Sequence, residues 1–148
     1  MELEVLGTGE CLRLLGTAEL GRIAYTERAL PAVVPVSFVL HNGAIVFRAG
    51  RSGKLAAAIN NAVVAFETDA VDVAARTGWS VTAVGYARVV RDATERAVLA
   101  GLGLRAWPPG EHQNYVVIAP EILEGRRIPD GRGPGLITPS VPRSPEVL

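Results

Sequence analysis

The dipeptide Asn42-Gly43 separates two apolar runs, PAVVPVSFVLH (31–41) and AIVFRA (44–49). Runs rich in β-branched and aromatic residues are typical of strands. Asn-Gly readily adopts the positive φ angles of a type I′ turn, which joins two antiparallel strands. The sequence therefore predicts a β-hairpin centred on this dipeptide.

The same strand chemistry recurs along the chain. Four further strands are predicted, over residues 21–26, 62–71, 78–91 and 114–123. Helices are predicted over residues 8–16, 52–61 and 92–104, with N-caps at Thr8, Ser52 and Asp92. Because consecutive strand–helix–strand units are missing, a doubly wound parallel sheet is not expected. The predicted fold class is mostly β, with six antiparallel strands in a barrel and short flanking helices.

Some finer expectations follow from the pattern. Both faces of the strand over residues 31–41 are largely apolar, so both are expected to be covered. Gly85 is expected to mark a bulge or a bend of the barrel. Val98 and Leu102 are expected on one side of the last helix, and Cys11 is expected to pack as a small hydrophobe.

Composition limits the classes of function. With 49% hydrophobic and 20% charged residues, the 148-residue chain can bury a core, and its length fits one domain. Fifteen basic and fifteen acidic residues cancel, so no global positive field favours nucleic acid. The most apolar run, 29–40, is too short and proline-containing to span a membrane. The N-terminus lacks the positive charge of a signal peptide and Cys11 cannot form an internal disulfide, so a cytoplasmic protein is expected.

The C-terminal segment differs from the rest of the chain. PDGRGPGLITPSVPRSPEVL (129–148) holds five of the ten prolines and little periodicity. We expect residues 1–128 to form the single domain and residues 129–148 to form a Pro/Gly-rich tail, which could lie over a partner subunit.

The loop GRSGKL (50–55) carries the strongest local signal for a ligand. It lacks the spacing of a nucleotide P-loop, because Leu55 follows Gly53-Lys54 and Arg48 stands where the first glycine belongs. A helix beginning at Ser52, flanked by Arg48, Arg51 and Lys54, would still favour an anion. The alternative is a solvated turn whose cations decorate the surface.

Other candidate chemistry is weaker. His41 and His112 are far apart and no group of His, Cys, Asp and Glu has metal-ligand spacing, so no metal site is expected. Glu67, Asp69 and Asp72 form an acidic patch that is typical of a solvated strand end. Trp79 and Trp107 stand beside polar or turn residues, where each is either a core residue or a surface for a planar cofactor.

The order of these motifs resembles a known family. P-V-x-F, F-R-x-x-x-x-G-K-L, F-E-x-D and G-W-S-V-x-x-x-G follow one another as in the pyridoxamine 5′-phosphate oxidase-like, FMN-binding split β-barrel family. The likeness extends over residues 8–128 and is strongest to small actinobacterial-type members related to nitroimidazole-resistance proteins. It implies a six-stranded antiparallel split barrel that forms a homodimer, with flavin in a groove between the subunits.

The resemblance also implies site residues. The flavin phosphate would be held by the strand after the hairpin and by the turn into the next helix, and the ring system would lie along the preceding strand and border a later one. The implied cofactor-binding residues are Pro35, Val36, Ser37, Phe38, Phe47, Arg48, Ala49, Ser52, Lys54, Trp79 and Ser80. No residue is assigned a catalytic role.

Three functions are compatible with this resemblance. The first is an FMN-dependent reductase or oxidase of a small flat substrate, such as a nitroaromatic. The second uses the deazaflavin F420, although its longer acidic tail would need a wider basic groove. The third is a non-catalytic protein that stores or senses flavin or haem. EGRR (124–127) resembles the substrate-end segment of the family, but it lacks the tryptophan and the R-x-H-x-R of vitamin B6 oxidases, whose activity is therefore not predicted.

Overall fold

The computed structural model describes residues 3–50, 53–105 and 114–129. Nearly all of the predicted tail and the residues Ser52, Trp107 and His112 lie outside these ranges. The described helices are α1 Thr8–Thr17, α2 Lys54–Ile59 and α3 Ala93–Ala100. The described strands are β1 Glu4–Leu6, β2 Leu20–Glu27, β3 Leu30–His41, β4 Ala44–Ala49, β5 Val63–Asp72, β6 Thr77–Val89, β7 Asn114–Ile118 and β8 Ile122–Ile128.

Six strands close into a barrel. The order is β6-β5-β2-β3-β4-β7, and a further pairing of β7 with β6 completes the ring. Every pairing between these strands is antiparallel. The predicted fold class, a mostly β antiparallel split barrel with short helices, is confirmed.

Strand β6 changes partner along its length. Its first half, Gly78–Val84, pairs with β8, whereas Ala87–Val89 pairs with β7. Gly85 lies between these segments and pairs regularly with Val64, so its interpretation as a bulge is wrong. A Cβ atom at Gly85 would collide with the carbonyl oxygen of Ala119, where the chain passes from β7 to β8. Glycine is therefore required by a close backbone approach.

The predicted hairpin is confirmed. Asn42 and Gly43 have φ angles of 50° and 77°, and His41 pairs with Ala44 on either side of the turn. Both positive φ angles are those of a type I′ turn. This turn fixes the register in which β3 meets β4.

The N-cap differs from the prediction in two of the three helices, and α3 ends at Ala100 instead of residue 104. Gly7, rather than Thr8, is the N-cap of α1. Gly53, with φ of 70°, is the N-cap of α2, so the predicted cap at Ser52 is wrong and the helix has only six residues. The cap of α3 is confirmed, because the Asp92 carboxylate accepts a hydrogen bond from the Glu95 amide at 2.9 Å.

The barrel interior forms the main core. Phe38 and Phe66 meet edge to face at its centre, with ring centroids 4.7 Å apart. Cys11 lies on the buried face of α1, which confirms its packing role, and burial raises the pKa of its thiol. The larger buried side chains of this core include Leu15, Ile23, Ile45, Phe47, Ile59, Phe66, Val81, Val116 and Ile118.

A second group of apolar side chains lies outside the barrel, where α3 packs. We call it the α3 cluster; it consists of Val46, Val90, Leu99, Leu104 and Val117. Leu99 is the buried residue of α3, whereas Val98 is 53% exposed, so the prediction is wrong for Val98; Leu102, beyond the end of the helix, packs against the α3 cluster. Val39 packs against the α3 cluster, but Val33 and Pro35 are exposed, so only part of the outward face of β3 is covered within one chain.

Among the described residues, no helix combines the length and apolar character needed to cross a bilayer.

Candidate functional site

The residues expected to bind a cofactor divide between the two faces of the barrel wall. Val36, Phe38, Phe47 and Ala49 are all buried in the interior core. Their side chains fill the barrel, so only their backbone atoms are available to a ligand outside it. The alternation of side chains along a strand explains the division, since neighbours in sequence point to opposite faces.

Trp79 and Ser80 are separated in the same way. Trp79 lies on the interior side of β6, like Val81, and packs against the core. It also lines a cavity of about 420 Å³ at the end of the β5–β6 hairpin, together with Arg127 and Asp72. Ser80 projects from the outer face. The two residues therefore cannot border one ligand on the same side of the sheet.

The outward residues form a polar line across the barrel wall. Leu20 pairs with Ser37, and Ser80 pairs with both Asp69 and Arg126. The Thr68 hydroxyl donates to the Leu20 carbonyl at 2.8 Å, which brings these two segments together. We call this line the outer polar row; in spatial order it contains Arg48, Ser37, Leu20, Asp69, Ser80 and Arg126.

Arg48 occupies one end of the outer polar row. The pairing of β3 with β4 ends at Phe38 and Phe47, and Ser37 and Arg48 are the residues next to this last pair on the two strands. At roughly 4.8 Å per strand, the five strand steps from Arg48 to Arg126 span on the order of 24 Å. The row is thus long enough for a flavin ring with its ribityl phosphate chain.

The cations at the Arg48 end come from two elements. Arg48 is half-buried near the end of β4, and its guanidinium carbon lies 5.4 Å from the centroid of the Tyr115 ring. Lys54 is exposed at the start of α2, after a short connection from β4. Because α2 is only six residues long and begins at Lys54, side-chain charge rather than a helix terminus supports an anion here.

A charged cluster interrupts the apolar surface beside the row. Arg22 Nη1 lies 2.9 Å from Glu67 Oε1 and 3.5 Å from Asp69 Oδ2. Burial and the neighbouring Asp69 carboxyl raise the pKa of Glu67 to about 7, although Arg22 opposes the shift. These three side chains line a cavity of about 300 Å³ with Ala24, Val33 and Ala65.

The sequence indicated the two carboxylates of this cluster but not their arginine partner. Glu67 and Asp69 were interpreted as part of a solvated acidic patch at a strand end, although their spacing of two places both on one face of a strand. Their arginine partner is 45 residues away from Glu67 in the chain and is brought to it by the pairing of β2 with β5. Only the strand register reveals that contact.

Metal-binding side chains are not brought together. Within residues 3–50, 53–105 and 114–129 no three His, Cys, Asp or Glu residues form a group that could hold a metal ion. His41 is half-buried, and its Nε2 lies 3.3 Å from Asn42 Nδ2. It lines a cavity of about 260 Å³ beside the Arg88–Glu95 ion pair.

The donor set fits a flat polar ligand that carries a phosphate. A guanidinium can donate two parallel hydrogen bonds to a phosphate, and an ammonium adds a compact charge. The hydroxyls of Ser37 and Ser80 can donate to or accept from a heterocycle. The outer polar row therefore joins an anion-binding end to a surface suited to a polar ring system.

Several known proteins resemble this chain in sequence. The sequence profile described as pyridoxamine 5′-phosphate oxidase matches residues 8–127. The uncharacterized protein Rv0080 of Mycobacterium tuberculosis is 36% identical over 139 residues, which cover 90% of this chain and 91% of that protein.

Two solved structures extend the likeness to three dimensions. The FAD binding protein from Mycobacterium smegmatis is 33% identical, with a TM-score of 0.67 over 86% of this chain and 99% of that one. A FAD-binding protein from Mesorhizobium loti is 22% identical, with a TM-score of 0.73 over 86% of this chain and 99% of that one. This second likeness concerns the fold alone. The matched profile, the sequence identity and the closed barrel together show that the chain belongs to the pyridoxamine 5′-phosphate oxidase family.

Proposed function

We propose that this protein binds a flavin along the outer polar row, with the flavin 5′-phosphate held at the Arg48 end. The observation that carries the proposal is that Ser37 and Arg48 directly follow the last pair of β3 and β4, Phe38 with Phe47, at one end of a line of outward residues that has no other charge until Asp69. The FAD binding protein of M. smegmatis, 33% identical over nearly its whole length, supports a flavin as the ligand class.

The proposal assigns different tasks to the predicted residues. Arg48 and Lys54 bind the phosphate, and Ser37 and Ser80 form hydrogen bonds with the ring system. Pro35 gives the ring an exposed apolar edge to pack on. Val36, Phe38, Phe47 and Ala49 stabilise the strands from inside the barrel. The role of Ser52 stays a prediction, because this residue lies outside the described ranges.

A bound flavin would supply hydride or electron transfer, which makes an oxidoreductase the natural activity. The chain's own contribution is to bind the phosphate, to orient the ring along β3 and to exclude water from one of its faces. FMN is the flavin expected from the sequence, and the phosphate site serves any flavin that has this group. The reacting substrate and the cytoplasmic location remain predictions from sequence.

We infer that a second copy of the chain completes the site. Four large apolar side chains on the same outer face are more than half exposed in one chain: Val33, Val63, Tyr86 and Ile122. Such a surface is typical of a protein contact. Arg22 and Arg126 lie on it together with Glu67, Asp69 and Glu124, so the face carries both signs of charge and can pair with itself about a two-fold axis. A homodimer would cover the ring of a flavin lying on the row.

The phosphate assignment is tested with two ligands that differ only in the phosphate. Arg48→Ala with Lys54→Ala is expected to weaken FMN binding by at least about tenfold, since each lost charge-assisted hydrogen bond is worth roughly 1.5–3 kcal/mol. Riboflavin binding should change little. Calorimetric titration of both ligands measures this difference. Arg91→Ala, which removes an exposed cation elsewhere, is the matched control.

Equal losses for FMN and riboflavin would show that the two cations do not bind the phosphate. The absorption spectrum of the purified protein separates the alternative cofactors, because flavin, deazaflavin F420 and haem absorb at different wavelengths. A Soret band would favour the haem-binding alternative over the flavin proposal. Turnover with a reduced cofactor then distinguishes an enzyme from a storage or sensing protein.

A further inference from the structure

Two carboxylates share one guanidinium in the middle of the outer face. Glu67 and Asp69 are two residues apart on β5, so their side chains lie on the same side of the sheet. Nη1 of Arg22, on β2, lies 2.9 Å from Glu67 Oε1 and 3.5 Å from Asp69 Oδ2. We call these three side chains the Arg22 cluster. When both acids are ionised, the single arginine leaves one negative charge in excess.

The neighbouring strands do not remove this excess charge. On β6 the residues opposite the two acids are Thr82 and Ser80, which are uncharged. On β8, the next strand, the residues opposite these two are Glu124 and Arg126, which carry one charge of each sign. On the other side, β2 contributes the arginine of the cluster itself. The excess negative charge of the Arg22 cluster is therefore not compensated by the strands around it.

The surface around the Arg22 cluster is apolar. The cluster lines a cavity of about 300 Å³ together with Ala24, Val33 and Ala65. In a single chain, burial and the neighbouring Asp69 carboxyl already raise the pKa of Glu67 to about 7. A second chain that covers this face takes the cluster farther from water, and desolvation disfavours the ionised form of a carboxyl. Burial of an uncompensated charge is costly, and a proton bound to Glu67 removes that charge.

We propose that two copies of the chain associate through the outer face with uptake of a proton by Glu67 in each copy, so that acidification through neutral pH favours the dimer; the inference rests on the homodimer proposed above. Once Glu67 is protonated, Arg22 faces a single carboxylate, that of Asp69, and the Arg22 cluster is neutral. The Glu67 O–H can then donate a hydrogen bond to Asp69.

The direction of the pH effect follows from proton linkage. Above neutral pH the Glu67 carboxylate of a single chain must first bind a proton before the chain can associate in this way, so the dimer weakens as the pH rises. Because the second copy is proposed to cover the flavin ring, the same proton uptake couples the pH to the completion of the flavin site.

Sedimentation equilibrium of the full, ligand-free chain at pH 6, 7 and 8 and constant ionic strength measures the dissociation constant of the dimer. For the wild type we expect this constant to rise at least about tenfold from pH 6 to pH 8, because release of one proton per chain changes it by up to about 100-fold per pH unit. Glu67→Gln should make it independent of pH and close to the wild-type value at pH 6. Glu124→Gln, which removes an exposed carboxylate from the same face, should keep the wild-type pH dependence.

A second measurement carries the test if Glu67→Gln does not fold. Dilution calorimetry of the wild type at pH 8, in buffers with different ionisation enthalpies, counts the protons that are released when the dimer dissociates. About one proton per chain is expected. Heats that show no release of protons would contradict the inference.

The outcomes separate this inference from the homodimer itself. A dissociation constant that stays the same or falls from pH 6 to pH 8 would overturn the inference and leave the homodimer intact, because a cation of the second copy rather than a proton would then neutralise the Arg22 cluster. Persistence of the pH dependence in Glu67→Gln would overturn it too, since another group would then bind the proton. A wild type that is monomeric at all three pH values would contradict the homodimer as well.

Discussion

At the scale of single residues, the direction in which a side chain points decides its role. Arg48 and Phe47 are neighbours in sequence, yet one lies on the outer polar row and the other fills the barrel. The resemblance to the family implied both as cofactor-binding residues, and the period of two in a strand places their side chains on opposite faces. Which set of alternate residues faces outward depends on the closure of the barrel, and no local pattern encodes it.

The titration of Glu67 gives a prediction at this scale. Its pKa is raised from 4.5 to about 7 by burial and by the neighbouring Asp69, so folding favours its protonated form. The resulting stabilisation is present below pH 4.5 and is lost as the pH rises through 7. Glu67→Gln should therefore raise the free energy of unfolding by about 1–2 kcal/mol at pH 8, after allowance for solvent screening, and change it little at pH 4.

Urea unfolding of wild type and variant at both pH values measures the effect. Glu124→Gln, an exposed carboxylate on the same outer face, is the control and should give the same small difference at each pH. If Glu67→Gln instead destabilises the protein at pH 8, the stabilisation from the ion pair with Arg22 is larger than the cost of burying the Glu67 charge.

Among helices and strands, the sequence predicts those that form through local chemistry and misses those that form only by pairing with a neighbouring strand. The hairpin, the central strands and the Asp92 cap follow from turn preference, alternation and side-chain capping. β1 has only three residues and pairs with β8, whose segment ILEGRRI carries three charges. These two strands form because β8 pairs with the edge of β6, and β1 then pairs with the free edge of β8. Propensity alone does not reveal them.

The passage from β7 to β8 provides a prediction for an element. Gly85→Ala places a methyl group against the Ala119 carbonyl, a backbone atom that can move only if the connection between β7 and β8 moves. A loss of about 1–3 kcal/mol in the free energy of unfolding is expected. Gly16→Ala, in α1 where the added methyl meets no neighbour within 4 Å, is the matched control and should stabilise the protein by about 0.5–1 kcal/mol.

Thermal or urea unfolding distinguishes the two substitutions. If both variants have the same stability, or if Gly85→Ala is the more stable, the close approach at Ala119 does not constrain the fold. Circular dichroism of the folded Gly85→Ala protein should still show a mostly β spectrum, because the pairing of β5 with β6 does not involve this contact.

At the scale of the whole molecule, the central issue is what covers the outer face. The proposed homodimer predicts that Val33→Asp, at the exposed outer face of β3, shifts the protein from dimer to monomer. Val98→Asp replaces a similarly exposed valine on α3, away from that face, and should leave the dimer intact. Sedimentation equilibrium measures both masses. A wild-type protein that stays monomeric at high concentration would contradict the shared site.

The most direct measurement is a crystal structure of the protein with FMN or FAD bound. The account predicts the flavin phosphate within hydrogen-bonding distance of Arg48 and Lys54, and the ring on the outer polar row near Ser37. The cavity beside Trp79 and Arg127 lies on the other side of the sheet and is the clear competing position. A flavin ring found in that cavity, with its phosphate distant from Arg48, would contradict the central claim.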